Sequence, residues 1–290
     1  MDLSIIILSY NTKDITDECL SRLRMSEVRC RKKLGNNIEV IVLDNASSDG
    51  SVEMIKKNHP WVNLIESKGN TGFSKGNNIA FKQSKYPVVL FMNSDVYVEE
   101  DTLEKTLGFF EKEIEVLGPK LQFADGSFQP SAGPLPSPVN TIFWIFGLWG
   151  FHPKDKSYFE KISQVGWVSG AFLLMRRAVF EKVGGFDENI FMYLEEVEFC
   201  KRVSIAGFKI WYVPEVAVTH LHGASSQFDP SPALLWELKG LKYYYQKHLK
   251  NSYPFVKFFL ILGLILRAVI FSLLGKTKRA RAYIESLGVI

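Results

Sequence analysis

The sequence predicts an α/β fold built on a mainly parallel sheet, and three observations carry that expectation. Short, largely apolar runs at residues 4–9 (SIIILS), 38–43 (IEVIVL) and 88–92 (VVLFM) have the hydrophobicity of strands buried on both faces. Helical patterns separate them at short spacing, as crossover connections require. Each run ends in polar residues, Tyr10-Asn11-Thr12, Asp44-Asn45 and Asn93-Ser94-Asp95. Right-handed crossovers bring these ends to one edge of the sheet, where open α/β sheets bind ligands.

Taken in order, residues 4–9 form the first strand. A helix follows with Ile15, Cys19, Leu20 and Leu23 on one face and Asn11 or Thr12 as its N-cap. Residues 38–43 are the second strand, ending in DNASSDGS before a short helix toward His59, and 62–66 are the third. The glycine-rich stretch 69–78 opens a helix through Ser84, and 88–92 is the fourth strand. Beyond Asp95 a helix is expected over 101–112 and a strand pair over 116–128, turning at Asp125-Gly126. Four prolines make 130–138 a loop, and the aromatic stretch 140–151 follows it. Residues 167–175 read as a strand, 176–183 as a helix stopped by Gly184-Gly185, and 192–206 as a helix stopped at Gly207. Residues 209–213 and 216–220 read as short strands divided by Pro214.

The chain has 290 residues, 47% hydrophobic and 23% charged, enough for one large domain or two small ones with a core of their own. Cys19, Cys30 and Cys200 are odd in number and lack CxxC spacing, which points to a reducing compartment and away from disulfides or a zinc site. The N-terminus carries no basic region, and its apolar run stops at Ser9, so it reads as a strand rather than a signal peptide. Between Leu238 and Tyr283 there are ten Lys or Arg and no acid, with Glu285 after them. The whole chain carries +4, so residues 1–237 carry −5. A mildly acidic body with a basic tail implies an anionic partner for the tail alone; no nucleic-acid partner is expected.

Several polar residues stand where chemistry is done, each with a plain structural alternative. Asp95 is placed to hold a cation against a bound phosphate, or to cap the next element. Asp44 can accept the imide N–H of a uracil or thymine ring, or form an Asx-turn. Glu195, Glu196 and Glu198 crowd one helix start, where acids are favourable in any protein. Helical spacing puts Glu195 and Glu198 on one face and Glu196 elsewhere. His220 and His222 alternate, so they point to one side of an extended chain, where one could join Asp95 on a metal. Gly69, Gly72 and Gly76 match neither a P-loop nor GxGxxG, which removes the main support for ATPases and adenine-dinucleotide enzymes.

The order of these pieces is more specific than any of them. A SYN-ended strand, DNASSDGS, GNTGFSKGNN, LFMNSD, SGAFLLMRRAVFEKVGGFDE, LEEVEF and HLHGASS follow one another over residues 4–226. This succession resembles the family 2 nucleotide-sugar glycosyltransferases of the GT-A fold, and within them the bacterial rhamnosyltransferases acting on lipid-linked or cell-wall glycans. The resemblance implies a catalytic domain over 1–230, with a nucleotide-sugar half (1–98) and an acceptor half (99–230). It implies that Ser9, Tyr10, Asn11, Asp44, Asn45, Gly72, Lys75, Asn77, Asn93 and Ser94 meet the donor, with Asp44 on the pyrimidine. It implies Asp95 and His220 as ligands of Mg²⁺ or Mn²⁺, Glu196 as general base with Glu195 beside it, and Trp167, Ser169 and Gly170 at the acceptor. Two positions depart from the family pattern. Asn93 stands where the first acid of the D-x-D-type motif is usual, leaving the metal more dependent on substrate phosphates. Glu196 stands where Asp is commoner.

The implied reaction is inverting transfer from a dTDP- or UDP-sugar, with metal and helix N–H groups neutralising the diphosphate. A nucleotidyltransferase of related fold and a non-catalytic nucleotide-sugar-binding protein are the alternatives. The tail, 231–290, is read from its own residues. Residues 255–275 are apolar, but Lys257 and Arg267 interrupt them, so no uncharged run approaches the roughly 20 residues of a spanning helix. Arg267 near a span's centre would cost about 2.5–3.5 kcal/mol. The expectation is helices lying in the interface of an anionic membrane through residues 236–281, with the aromatic loop 142–151 meeting the same surface. A single tilted span and a homodimer interface are the competing readings. The implied location is the cytoplasmic face of a bacterial plasma membrane, where a lipid-linked acceptor is presented.

Overall fold

The computed structural model describes residues 1–110, 114–148, 150–151, 153, 156–221 and 231–290. Its centre is four parallel strands, β1 (Leu3–Ser9), β2 (Ile38–Asp44), β3 (Asn63–Glu66) and β4 (Val88–Asn93). Connecting them are α1 (Lys13–Leu34), α2 (Ser51–Asn58) and α3 (Gly72–Phe81). These are the strands and crossovers that the apolar runs predict. Ile5, Ile6, Ile7, Val42, Leu43, Val89, Leu90 and Phe91 are fully buried because both faces of the sheet are covered.

The chain continues through β5 (Val96–Tyr97), α4 (Thr102–Phe110), β6 (Val116–Gln122) and β7 (Phe128–Gln129), the last two forming the expected hairpin. Next come β8 (Ala132–Gly133), α5 (Pro138–Ile145), β9 (Ser163–Val165), β10 (Trp167–Val168), β11 (Phe172–Arg176), α6 (Arg177–Val183) and α7 (Glu195–Ile205). Then follow β12 (Ile210–His220), α8 (Ser231–His248), α9 (Tyr253–Leu273) and α10 (Thr277–Leu287). The main sheet runs β3-β2-β1-β4-β11-β6-β12-β5, with β11 antiparallel to both neighbours. Strand order reverses between β1 and β4, the place where a crevice opens at the strand ends.

Four sequence expectations change. The 167–175 strand divides: β10 leaves to pair with β8, while β11 joins the main sheet. The break falls at Ser169-Gly170-Ala171, where Ala171 O accepts from Asn93 N (3.0 Å). Pro214 does not end a strand, because a register shift between Val213 and Ala217 absorbs its missing N–H within one continuous β12. The 140–151 stretch is largely helix. Ser137 caps α5 in a capping box with Asn140, Pro138 takes the first turn, and Phe151 is fully buried rather than presented outward. The acidic helix begins only at Glu195, because Tyr193 (φ 65°) and Leu194 (φ 69°) are left-handed.

Each face of the sheet has its own core. One is closed by α1, α2 and α4 through Cys19, Leu20, Leu23, Ile55, Leu107 and Phe110. The other gathers Phe91, Phe180, Phe186 and Phe199, and runs on without a gap to Leu238, Leu241, Tyr244 and Tyr245 of α8 and Val256, Leu260 and Leu264 of α9. The buried residues of α8 and α9 therefore share one core with this face of the sheet.

A buried carboxylate holds that junction. Glu198 of α7 is fully buried and receives Arg202 (2.8 Å), Lys247 (2.8 Å) and His248 (2.9 Å), the last two from α8. Lys247 also binds Asp187 (2.5 Å), which takes Tyr243 OH at 2.9 Å. Burial raises the Glu198 carboxyl, but hydrogen bonds from His248, Arg202 and Lys247 outweigh it and hold it down to about 2. Its stabilisation is therefore complete above the unfolded value, about 4.3, and is lost as pH falls toward 2. Glu198→Gln is expected to cost about 3–5 kcal/mol in urea unfolding at pH 7. The difference from the unsubstituted chain should shrink progressively below about pH 4.3.

Candidate active site

The strand ends bring the predicted polar residues to one edge. Asp44, at the end of β2, is buried, and its Oδ1 accepts Ser47 N at 2.8 Å. Its Oδ2 is equally buried and has no hydrogen-bond partner among the described residues. A carboxylate oxygen in that state is an acceptor in need of a donor. Asn11 (φ 52°) lashes the β1 end to the β2 end, its Oδ1 accepting Ser48 N (2.8 Å) and its N–H donating to Ser47 Oγ (2.9 Å). Tyr10 is exposed at this rim.

Other predicted donor residues work inside the protein. Ser9 is fully buried in a hydroxyl chain with Thr16 (3.1 Å) and Thr12 (3.4 Å), which extends from Thr12 to Ser94 (3.2 Å). Asn45 is buried and ties β2 to the glycine-rich loop: Oδ1 accepts Thr71 N (2.8 Å) and Nδ2 donates to Asn70 Oδ1 (2.9 Å). Asn77 Nδ2 donates to Phe73 O, and Lys75 is exposed. Gly72 (φ 78°) is required, since a Cβ there would lie 2.6 Å from Phe191 O. The first backbone N–H groups of α3 have partners within the protein. Gly72 N donates to Asn70 Oδ1 (3.0 Å) and Phe73 N to Phe191 O (2.7 Å).

Asp95 and His220 do come together. β12 pairs with β5 so that His220 lies opposite Val96, and His220 Nε2 stands 3.3 Å from Asp95 Oδ1. Gln129, which the sequence did not single out, meets His220 Nδ1 through Oε1 at 2.9 Å. An N–H at Nδ1 donating there directs the Nε2 lone pair toward Asp95. One oxygen and one nitrogen donor facing each other suit a divalent cation that completes its shell with water and phosphate oxygens. Among the described residues no third His, Cys, Asp or Glu joins them. His222 lies outside the described residues. Asn93, half-buried at the end of β4, donates its backbone N–H to Ala171 O.

The acidic pair stands beside the segment whose Ala171 bonds Asn93. Gly170 backs onto it: a Cβ on Gly170 would lie 3.4 Å from Glu196 Cβ and 3.5 Å from the Phe73 ring. Glu196 is half-buried, whereas Glu195 is buried and its Oε2 has no hydrogen-bond partner among the described residues. Burial, reinforced by the neighbouring Glu196 charge, pushes the Glu195 carboxyl well above its ordinary value. Glu198, on the Glu195 face as helical spacing predicts, is committed to the α7–α8 junction. The two left-handed residues before the pair cost about 1–2 kcal/mol each, a strain typical of functional turns. Trp167 is a support rather than a surface: it is buried, and Nε1 donates to Phe151 O at 3.0 Å. Ser169, half-buried, donates its N–H to Ser131 O (2.8 Å).

Comparison with known proteins bears on the family and the fold. Residues 4–184 match the family described as Glycosyl transferase family 2. The N-acetylglucosaminyl-diphospho-decaprenol L-rhamnosyltransferase of Mycobacterium tuberculosis is 28% identical over 252 residues, 80% of each chain. Rhamnosyltransferase WbbL of Escherichia coli is 27% identical over 264 residues, 87% of this chain and 96% of WbbL. In fold, the chain is similar to mannosyltransferase PcManGT of Pyrobaculum calidifontis in complex with GDP-Man and Mn²⁺. That likeness has a TM-score of 0.60 at 14% identity, covering 98% of this chain and 85% of the other. It is also similar to S. aureus TarS 1–349 in complex with UDP-GlcNAc, with a TM-score of 0.55 at 16% identity over 99% and 91% of the two chains.

The raised Glu195 carboxyl has a measurable consequence. A folded-state pKa above the unfolded value means stability that is complete below about pH 4.3 and declines as pH rises through the folded value. Glu195→Gln, which keeps the shape of the protonated acid, is expected to remove that decline. Thermal melts from pH 4 to 8 should give equal Tm values at the acid end and a higher Tm for the variant at the alkaline end.

Proposed function

This chain belongs to glycosyl transferase family 2, and from that premise we propose that it transfers a rhamnose-like hexose from a dTDP- or UDP-linked donor, with inversion, to a lipid-linked or cell-surface glycan. That it is a glycosyltransferase follows from the family. The finer reading is supported above all by one juxtaposition: Glu196 lies against Gly170, whose neighbour Ala171 accepts the backbone N–H of Asn93 on the strand end that leads to the Asp95–His220 pair. Two similar proteins are named rhamnosyltransferases, and one is named for a diphospho-decaprenol acceptor.

In this mechanism Asp44 Oδ2, buried and unpartnered among the described residues, accepts the pyrimidine imide N–H. Asp95 and His220 Nε2 would hold a divalent cation of the Mg²⁺ or Mn²⁺ kind, with Gln129 fixing the imidazole. Such an ion supplies charge neutralisation for a leaving diphosphate. Burial and the neighbouring Glu196 charge raise the Glu195 carboxyl, which disfavours its anion, and Glu196, the half-buried member of the pair, is read as the base. Glu196 then takes the proton of the acceptor hydroxyl as that oxygen attacks the anomeric carbon from the face opposite the diphosphate. Glu196→Gln is expected to retain nucleotide-diphosphate binding by calorimetry and lose about 10²–10⁴-fold in transfer. Glu195→Gln should keep transfer within about tenfold, since the base is intact. The assay is mass spectrometry of product from a panel of dTDP-, UDP- and GDP-sugars with a polyprenyl-diphosphate glycan. Transfer that survives Glu196→Gln, or a preference for the GDP-sugars, overturns the reading. Asp95→Ala should abolish Mn²⁺ binding in the presence of nucleotide diphosphate and lower turnover by orders of magnitude. Unchanged binding would remove the metal role.

The tail is read as the membrane surface of this enzyme. Phe255, Phe258, Leu262, Leu266, Val269 and Leu273 form one exposed stripe of α9, while Val256, Leu260, Gly263, Leu264 and Ala268 pack inward. Arg267 is turned off the stripe: Nε and Nη2 donate to Ile145 O (2.6 Å) and Trp144 O (3.2 Å), and Nη1 to Tyr283 OH (3.1 Å). A helix bonded along its inner side to α5 and α10 favours lying in the interface over crossing it. Lys276, Lys278, Arg279 and Arg281 at its end add about 1 kcal/mol each toward anionic lipid. The reading puts the active site at the cytoplasmic leaflet. Because the inner side of α9 belongs to the core, the test substitutes the stripe alone. Phe258→Glu with Leu266→Glu should leave Tm near that of the parent and abolish flotation with phosphatidylglycerol-containing liposomes. Flotation equal to the parent's would exclude the stripe as the docking face.

A further inference from the structure

Helix α8 begins beyond residues 4–184, the stretch matched to the family, and carries none of the groups assigned to the chemistry. We infer that it is nevertheless part of the catalytic centre: Gly240 and Trp236 are positioning residues that hold residues 191–194 in the conformation aligning Glu195 and Glu196 with the donor edge. The inference rests on the reading of that acidic pair as catalytic.

Gly240 lies inside a helix of eighteen residues, where glycine is a poor helix former. Its absence of a side chain has a specific use. A Cβ there would lie 2.6 Å from Tyr193 O and 2.9 Å from Leu194 Cβ. Tyr193 and Leu194 are the two left-handed residues immediately before Glu195, and Leu194 at the N-cap position makes no side-chain cap hydrogen bond. Such a turn persists only where its surroundings over-determine it. On one side the surroundings are α8. Its backbone meets the turn at Gly240, and one helical turn earlier the Trp236 ring stacks on Phe191, with centroids 4.8 Å apart and planes 28° apart. The Lys239 ammonium lies 4.1 Å from the Trp236 ring centroid.

On the other side is the donor loop. Phe191 O accepts Phe73 N at 2.7 Å, and the Phe191 ring closes over Gly72, with Cδ2 at 2.6 Å from where a Cβ would be. The turn is therefore clamped between the loop expected to meet the donor and the helix that leads into α9. The Glu198–Lys247 and Asp187–Lys247 ion pairs set the position of α8 two helical turns further on. A shift of α8 along or away from α7 thus moves the acidic pair and the donor loop together.

The test uses the full chain with its liposome-borne acceptor. Gly240→Ala is expected to lower kcat about a hundredfold, the usual effect of an ångström-scale misplacement, while KM for the nucleotide sugar and calorimetric binding of the nucleotide diphosphate change by less than about threefold. Trp236→Ala should act the same way more weakly, and Trp236→Phe, which can still stack on Phe191, should recover most of what the alanine loses. Tyr245→Phe removes the α8 hydrogen bond to Thr141 Oγ1 without touching the turn, and should leave kcat unchanged. Parent-like kcat in Gly240→Ala, or an equal fall of kcat in Tyr245→Phe, overturns the inference. If Gly240→Ala does not fold, the Trp236→Ala and Trp236→Phe pair decides, and equal kcat in the two overturns it. Glu196→Gln assayed alongside separates the two readings. An active Glu196→Gln rejects the catalytic pair, whereas an inactive Glu196→Gln with an active Gly240→Ala rejects only the brace.

Discussion

The burial of Glu198 is the constraint on which the rest depends. A carboxylate with no exposed surface survives only if cations and hydrogen-bond donors reach it, and two of its three partners, Lys247 and His248, come from a helix about fifty residues away. Folding of the acidic helix and docking of α8 are thereby one event. The same docking closes the phenylalanine-rich core on that face of the sheet and seats α8 against the turn before Glu195. On the opposite face, closed by α1, α2 and α4, the buried Glu27 takes its cations, Arg24 and Arg31, from its own helix.

How much could be read from the residues follows from this division. The parallel strands are legible because burial on both faces leaves them no polar alternation, and a run such as VVLFM has few other uses. Asp95 meeting His220 is also legible, since both sit at strand ends on one edge. Departures arise where a distant partner decides. The 167–175 run looks like one strand, but Asn93 and Ser131 each take a backbone bond from its middle, and so it splits. The aromatic stretch after Ser137 looks exposed from composition alone, yet α9 supplies the apolar partner that makes it an inward-facing helix, with Gly263 set against Ile145.

Within the site, residue type was a better guide to location than to task. Ser9, Asn45 and Asn77 lie near the predicted crevice, but their polar atoms bind other parts of the protein. An asparagine that knits two loops and one that meets a ligand look alike in a sequence, because the difference lies in which atoms already have partners. Gln129 was missed for the same reason: a glutamine in a hairpin carries no signal until the histidine 91 residues later is opposite it. Asp44 is the reverse case, since its half-satisfied carboxylate becomes informative only once its surroundings are known.

The apolar stripe on α9 has a consequence for the molecule in plain buffer. Side chains such as Phe258, Leu273 and Leu274 face water with nothing over them, on a protein whose adjoining segment is strongly cationic. Contiguous apolar surface of that kind drives chains toward one another unless another amphiphile covers it, and like charge alone keeps them apart. Colloidal behaviour is then governed by ionic strength in an unusual sense. Added salt, which screens the repulsion but not the stripe, favours self-association, and a mild detergent restores dispersion by taking the place of lipid.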